Sequence, residues 1–203
     1  MSKVYHSYFK EYLNRISRLE YDEKPDENDL MASDDHHHRS IVTNIFSKPS
    51  SLKNRSTVFT MGARASVIKE DLEAPLIMPT ANANTTYKYT PEALFRTVHY
   101  ALLDNTCREY YFLGDFFMTS NDSQTELVNS VFSKTLSTIE TYFNERFRSS
   151  YDTIALFLCL HLVYRYREMA RRKKIHVLDS YWDTSVTCLY PRFEKLIQMQ
   201  INS

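Results

Sequence analysis

Several groups of side chains have the types and spacing that chemistry asks for. His36, His37 and His38 follow Asp34 and Asp35 and form the one local run of metal-ligand types. Adjacent imidazoles in a polar stretch do not converge on one ion, because defined sites draw spaced ligands from rigid elements. No native metal site is expected there. Cys159 and His161 suggest a thiolate with its base. Two residues apart on a helix they do not face each other, so a buried thiol and a satisfied core histidine are expected instead. Asp104, Glu109 and Asp115 resemble paired carboxylates for acid–base work, yet Arg96 and Arg108 on the same segment favour ion pairing. The remaining group is YRYREMARRKK, which carries Arg165, Arg167, Arg171, Arg172, Lys173 and Lys174 toward a helix C-terminus. Cations there oppose the negative end of the helix dipole, which gives a capped, solvated helix end. The functional reading of the same residues is a patch for an acidic partner or an anionic lipid surface. Tyr164 and Tyr166 interleave with these arginines but fall on different sides of a helix.

Recognised catalytic loops are missing. The sequence has no GxGxxG, no GKS or GKT, no HExxH, no GxSxG and no EF-hand loop. It holds 2 glycines, where average usage would give about fourteen at this length. Gly62 and Gly114 stand alone and read as a turn or a tight helix contact. The pattern predicts no enzyme, no cofactor and no catalytic residue. Lys+Arg and Asp+Glu both stand at 25 in 203 residues, so net charge is zero. Nucleic-acid binders draw most of their affinity from a basic surplus, and no nucleic-acid partner is expected. Hydrophobic residues make up 43%, enough for a core in one domain with appended segments. The first residues lack the basic start and apolar stretch of a secretory signal, and Ile154 to Tyr164 is too short to span a bilayer. Cys107, Cys159 and Cys188 are widely spaced and odd in number, so neither disulfides nor zinc are signalled. A cytosolic protein is expected, with the sequons at Asn54, Asn84 and Asn121 as chance matches.

The elements that must position these residues are helices. From Ser2 to Tyr21, Val4, Tyr5, Tyr8, Phe9, Tyr12, Leu13, Ile16 and Leu19 recur at helical steps, with Pro25 beyond the end. Residues 1–21 therefore predict an amphipathic helix with nothing beside it in sequence to cover its apolar face. Residues 22–90 predict a long, mostly irregular linker: acidic first, then the histidine run, then Ser- and Lys-rich (FSKPSSLKNRS), holding four of the 6 prolines. Within it Val58 and Phe59, Val67 and Ile68, and Leu76 to Met78 are expected to dock as extended pieces. The hydroxyls beside Lys48, Lys53 and Arg55 are read as linker composition, although they suit phosphorylation. Residues 91–203 predict a helical bundle. Thr90 is expected to cap, with Pro91 and Glu92 in the first turn. Leu94, Phe95, Val98, Leu102, Tyr110, Leu113 and Phe117 mark one apolar face. A second helix carries Leu127, Val131, Leu136, Ile139, Phe143 and Phe147, and a third, Asp152 to Lys174, is apolar nearly all round. The fourth, Leu178 to Ile201, carries Trp182 and a Pro191 that must kink or split it. Trp182 and Phe157 are expected in one core. Short connections predict antiparallel neighbours and an all-α antiparallel bundle.

Long ordered runs carry a resemblance: EALFRTVHYALLDNTCREYYFLGDFF (Glu92 to Phe117), IFSKPSSLKNRSTVFTMGARASVI, LEAPLIMP, YDTIALFLCLHLVYRYREMA and YWDTSVTCLYPRFEKLIQMQ. Together they resemble the middle-to-late part of the vacuolar protein sorting-associated protein 52 family, subunits of the Golgi-associated retrograde protein (GARP) tethering complex. The resemblance implies a non-enzymatic helical rod acting in endosome-to-Golgi retrograde transport. It implies sister subunits of the complex as partners, SNARE proteins and small GTPases on the target membrane, and a cytosolic protein peripheral on trans-Golgi network and endosome membranes. Full members of that family continue before the equivalent of Ser2, through an assembling coiled coil, and beyond that of Ser203.

Overall fold

Apolar residues at three- and four-residue steps, with glycine almost absent, leave helix as the one regular structure that buries a stripe and satisfies its own backbone. The computed structural model describes residues 1–21, 61–69, 71–74, 88–118 and 121–202. The helices are α1 (Ser2–Ser17), the short α2 (Ser66–Lys69) after a 3₁₀ turn (Gly62–Ala65), α3 (Pro91–Phe117), α4 (Asn121–Arg148), α5 (Thr153–Arg172) and α6 (Asp179–Asn202). Among the described residues there is no strand, and one isolated parallel bridge joins Glu20 to Tyr89. The fold is the all-α bundle expected. The histidine run and the Ser- and Lys-rich stretch lie outside the described residues.

Side-chain pairs set the directions. Phe95 meets Phe143 and Phe147 at 4.9 and 6.0 Å between ring centroids, so α3 and α4 run antiparallel. Arg167 bonds Asp183 at 2.7 Å while Phe157 meets Phe193 at 6.1 Å, so α5 and α6 do the same. In contrast, α3 and α5 run parallel: Tyr166 donates to the Arg96 carbonyl at 3.0 Å and Tyr111 to the Lys173 carbonyl at 3.0 Å. Helix α6 also packs on α4, which places α4 and α5 diagonally across a ring of four. Sequence neighbours α4 and α5 are thus not packing neighbours, a refinement of the antiparallel expectation. Helix α1 lies on α4 and α3, with Tyr5 against Phe132 at 4.6 Å. That contact buries Phe9, Tyr12, Leu13 and Ile16, whereas Val4 and Tyr8 face outward.

Several expectations need correction. Phe157 is 41% exposed, because Phe157, His161 and Tyr164 form an outward stripe on α5. His161 is therefore no core histidine, although Cys159 is buried. Leu127 and Phe117 are exposed, and Val128 and Phe132 take the core side of α4. Pro191 lies inside a helix that is not split. Pro191 and Thr187, whose carbonyl loses its partner, both face outward, where water can satisfy the acceptor. Thr90 occupies the N-cap position, but its side chain makes no capping bond. Val67 and Ile68 dock as a helical turn rather than as an extended piece.

The core centre is polar at one point. His99 is buried between Phe95, stacked at 3.8 Å, and Trp182 at 5.7 Å. Its Nδ1 lies 2.8 Å from the Phe95 carbonyl and its Nε2 lies 2.7 Å from the Tyr181 hydroxyl. A carbonyl only accepts, so Nδ1 carries the proton and Nε2 accepts from Tyr181. Burial pushes the imidazole pKa down to about 3.

Trp182 is fully buried beside His99, Tyr166 and Tyr181, so Trp182→Ala should lower unfolding free energy in urea by about 3–5 kcal/mol. His99 binds a proton more readily unfolded than folded, so the stability it contributes is full above its ordinary pKa and falls as pH drops toward about 3. The slope is about 1.4 kcal/mol per pH unit. His99→Phe should flatten the loss of stability between neutral pH and pH ~4.5 by that slope, read as the difference between denaturation midpoints of the two proteins across pH.

Candidate protein interface

Helix α5 ends in a left-handed cap. The Lys174 and Ile175 amides return to the carbonyls of Arg171 and Ala170 at 2.9 and 3.0 Å, and Lys174 takes a φ of 57°. The helical repeat before that cap points the arginines in different directions. Arg165 donates to the Ile68 carbonyl on α2. Arg167 pairs with Asp183 at 2.7 Å and with Asp179 at 3.6 Å, Arg171 lies 3.8 Å from Asp179, and Arg172 pairs with Glu168 at 3.2 Å. Lys173 and Lys174 are exposed at the very end. Tyr166 is buried and Tyr164 exposed, on different sides as expected. Three of the six cations are thus paired with carboxylates, Arg165 is bonded to a backbone carbonyl, and Lys173 and Lys174 lie exposed beyond them.

The other chemistry-bearing residues are occupied structurally. Asp104 pairs with Arg108 at 3.0 Å one turn away, and Glu109 accepts from the Tyr5 hydroxyl at 2.8 Å. Burial, then that carboxylate, raises the Tyr5 hydroxyl pKa to about 12. Asp115 is exposed and shares no site with either. Burial pushes the Cys159 thiol well above its ordinary range, with Glu92 and Asp152 adding to the effect, which is the reverse of an activated thiolate. Among the described residues no three His, Cys, Asp or Glu side chains converge on a metal position.

Two features were not anticipated. The first is a buried ion cluster. Arg64 reaches both Glu92 oxygens at 2.7 and 2.8 Å and both Asp152 oxygens at 3.1 and 2.8 Å. All three side chains are nearly inaccessible. Burial opposes the guanidinium charge, but Glu92 and Asp152 outweigh it and hold the Arg64 pKa above its ordinary value. Arg96 adds a second clamp, donating to the carbonyls of Val67 at 2.7 Å, Asp71 at 2.5 Å and Ala74 at 3.3 Å. No local signal marks these partners, because Arg64 and Asp152 lie far apart in the chain.

The second feature is an aromatic helix end. Tyr111 reaches Lys173, the residue after α5 stops, so α3 from there to Phe117 has no α5 beside it. Phe112 and Phe116 stack at 5.6 Å and Phe116 meets Phe117 edge-on at 4.9 Å. Phe116 is 66% exposed and Met118, which ends α3 with a φ of 50°, is 92% exposed. Gly114 lets the Gln124 amide close on the Tyr110 carbonyl, where a Cβ would run into it, so α4 stays tight against α3 here. The signal was present in YYFLGDFF, whose aromatics exceed one helical stripe.

A family model described as "Vps52, C-terminal" matches residues 1–203. The vacuolar protein sorting-associated protein 52 homolog of Homo sapiens is 41% identical over 204 residues, covering 100% of this chain and 28% of the human protein. The homolog of Caenorhabditis elegans is 30% identical over 204 residues, 100% of this chain and 29% of its own length. The Saccharomyces cerevisiae protein is 27% identical over 149 residues, 71% of this chain and 23% of its own length. The chain therefore spans between 23% and 29% of the length of these curated relatives. No solved structure matches it.

Arg64→Met would leave two buried carboxylates facing each other, and unfolding free energy should fall by about 3–5 kcal/mol. Combining it with Glu92→Gln and Asp152→Asn removes both charges and keeps the Asp152-type cap on the Ala155 amide. The triple variant should recover most of the loss in the same urea titration.

Proposed function

The chain belongs to the Vps52 family through that family's C-terminal region, and from that premise we propose that it is the non-enzymatic helical part of a vesicle-tethering subunit in endosome-to-Golgi retrograde transport. The match across all 203 residues carries this reading. The fold supports it in two ways. The residues with catalytic potential are committed to packing and ion pairs, and what the bundle offers outward is helix surface, some of it strongly apolar. Such surface is what holds other helices. In this reading the partners are sister subunits of the GARP complex, with SNARE proteins and small GTPases engaged by the assembly. It is cytosolic and peripheral on trans-Golgi network and endosome membranes, and no described helix is long and apolar enough to cross a membrane. Residues 91–203 are the bundle, 1–21 the added helix, and 22–90 a connection of which residues 62–69 and 71–74 rest on the bundle.

A second reading uses the end of α5 for an acidic ligand or anionic membrane surface. It draws on Arg165, Arg167, Arg171, Arg172, Lys173 and Lys174, and the observation that favours it is the exposure of Lys173 and Lys174 beyond the paired arginines. Salt-sensitive liposome binding lost in Lys173→Glu with Lys174→Glu would carry it.

The primary reading is tested by affinity capture from cytosol at low and high salt, with this chain and a chain extended at both ends as baits. Sister tethering subunits should be recovered at both salt concentrations. A folded extended bait that recovers none of them overturns the assignment.

A further inference from the structure

The segment across the α3–α5 seam is held differently from the helices beneath it. Among its described residues, 64–69 and 71–74, the buried apolar side chains are Ala65, Val67 and Leu72, while Ser66, Lys69, Asp71, Glu73 and Ala74 face outward. Its other bonds all involve arginines. Arg64 gives its guanidinium to Glu92 and Asp152, Arg96 donates to the carbonyls of Val67, Asp71 and Ala74, and Arg165 donates to that of Ile68. Buried ion pairs return little net stability, because desolvation offsets their attraction. The single turn of α2 is far too short to hold itself. Sparse apolar burial with no lasting structure of its own is what marks a unit that opens separately from its surroundings.

The body beneath closes without this segment. Helices α3, α4, α6 and α5 pack in a ring. Farther along the seam, Tyr166 and Tyr111 tie α3 to α5 through the carbonyls of Arg96 and Lys173. The two carboxylates that release would uncover stand where helices favour negative charge. Glu92 is in the first turn of α3, and Asp152 caps α5, accepting from the Ala155 amide at 2.8 Å.

We infer that residues 64–74 are a releasable strap, an internal ligand that leaves the seam as one unit while the helices stay folded and bares a groove for an arginine-bearing peptide. Glu92 and Asp152 together accept from all three nitrogens of one guanidinium. That geometry is a socket for a planar fork, which the point charge of lysine does not fill. Arg96 and Arg165 bond carbonyls only, so they place the peptide by its backbone. Release also unties the starts of α3 and α5, which Arg64 holds together. The inference rests on the geometry of the seam and is independent of the tethering reading.

The test uses the whole chain with Val67→Cys or Leu72→Cys, each placing a thiol at a site only 4% or 3% exposed. Modification by a thiol reagent is followed across low urea, with the labelled position located by mass spectrometry. Both thiols should react at one common rate, at least tenfold faster than global unfolding allows. Their urea dependence should be much shallower than that of the equilibrium titration of the same variants. A second arm adds a synthetic peptide of residues 61–74 to the Arg64→Met chain, whose own strap lacks the guanidinium. The peptide should raise the thermal midpoint, and the same peptide carrying Arg64→Lys should bind at least tenfold more weakly. Thiols that react only with the full urea dependence of unfolding, or at two different rates, overturn the inference. So does a peptide that leaves the midpoint unmoved, or equal binding by its lysine form.

Discussion

Arg64 is the side chain on which the arrangement depends. Its guanidinium lies between Glu92, in the first turn of α3, and Asp152, the residue that caps α5. Both carboxylates are buried, and neither has another cation within ion-pair distance among the described residues. One residue from a segment remote in sequence thus ties together the starts of two helices that run side by side in the same direction. Parallel neighbours gain nothing from a short connecting turn, so a bond of this kind is what aligns their ends. Desolvation makes the cluster weak as a source of net stability and strong as a constraint, because losing any member leaves unpaired charge in the interior.

The clamp formed by Arg96 extends the same constraint. It holds three carbonyls of residues 67–74 against α3, and Arg165 holds a fourth from α5. The α3–α5 seam is therefore covered by a 3₁₀ turn, the single turn of α2 and the residues just after it, bound largely through their backbone carbonyls. Among the described residues of that cover, the buried side chains are Arg64, Ala65, Val67 and Leu72.

Much of this was legible in the sequence. Helix positions, the buried stripe on α6 and the central Trp182 follow from apolar periodicity, which is a local property. Helix surfaces at the rim were misjudged for one reason: Phe117, Leu127 and Phe157 are apolar and in phase, yet the neighbour that would cover them stops short or faces elsewhere. Periodicity reports which side of a helix is apolar and is silent on how far each neighbour extends. The Arg64 cluster was illegible for a different reason. Each of its members looks like an ordinary surface charge, and only their meeting across the fold reveals a site.

The bridge at one end of the bundle has a further meaning. Tyr21 donates its amide to the Tyr89 carbonyl, and Tyr89 returns a bond to Leu19 at 2.7 Å, just before α3 begins; Arg64 reaches Glu92 in the first turn of that same helix. Both flanks of residues 22–60 are thus fastened within a few residues of one another. The two fastened points meet at the start of α3, so the chain leaves the described body and re-enters it through a single doorway.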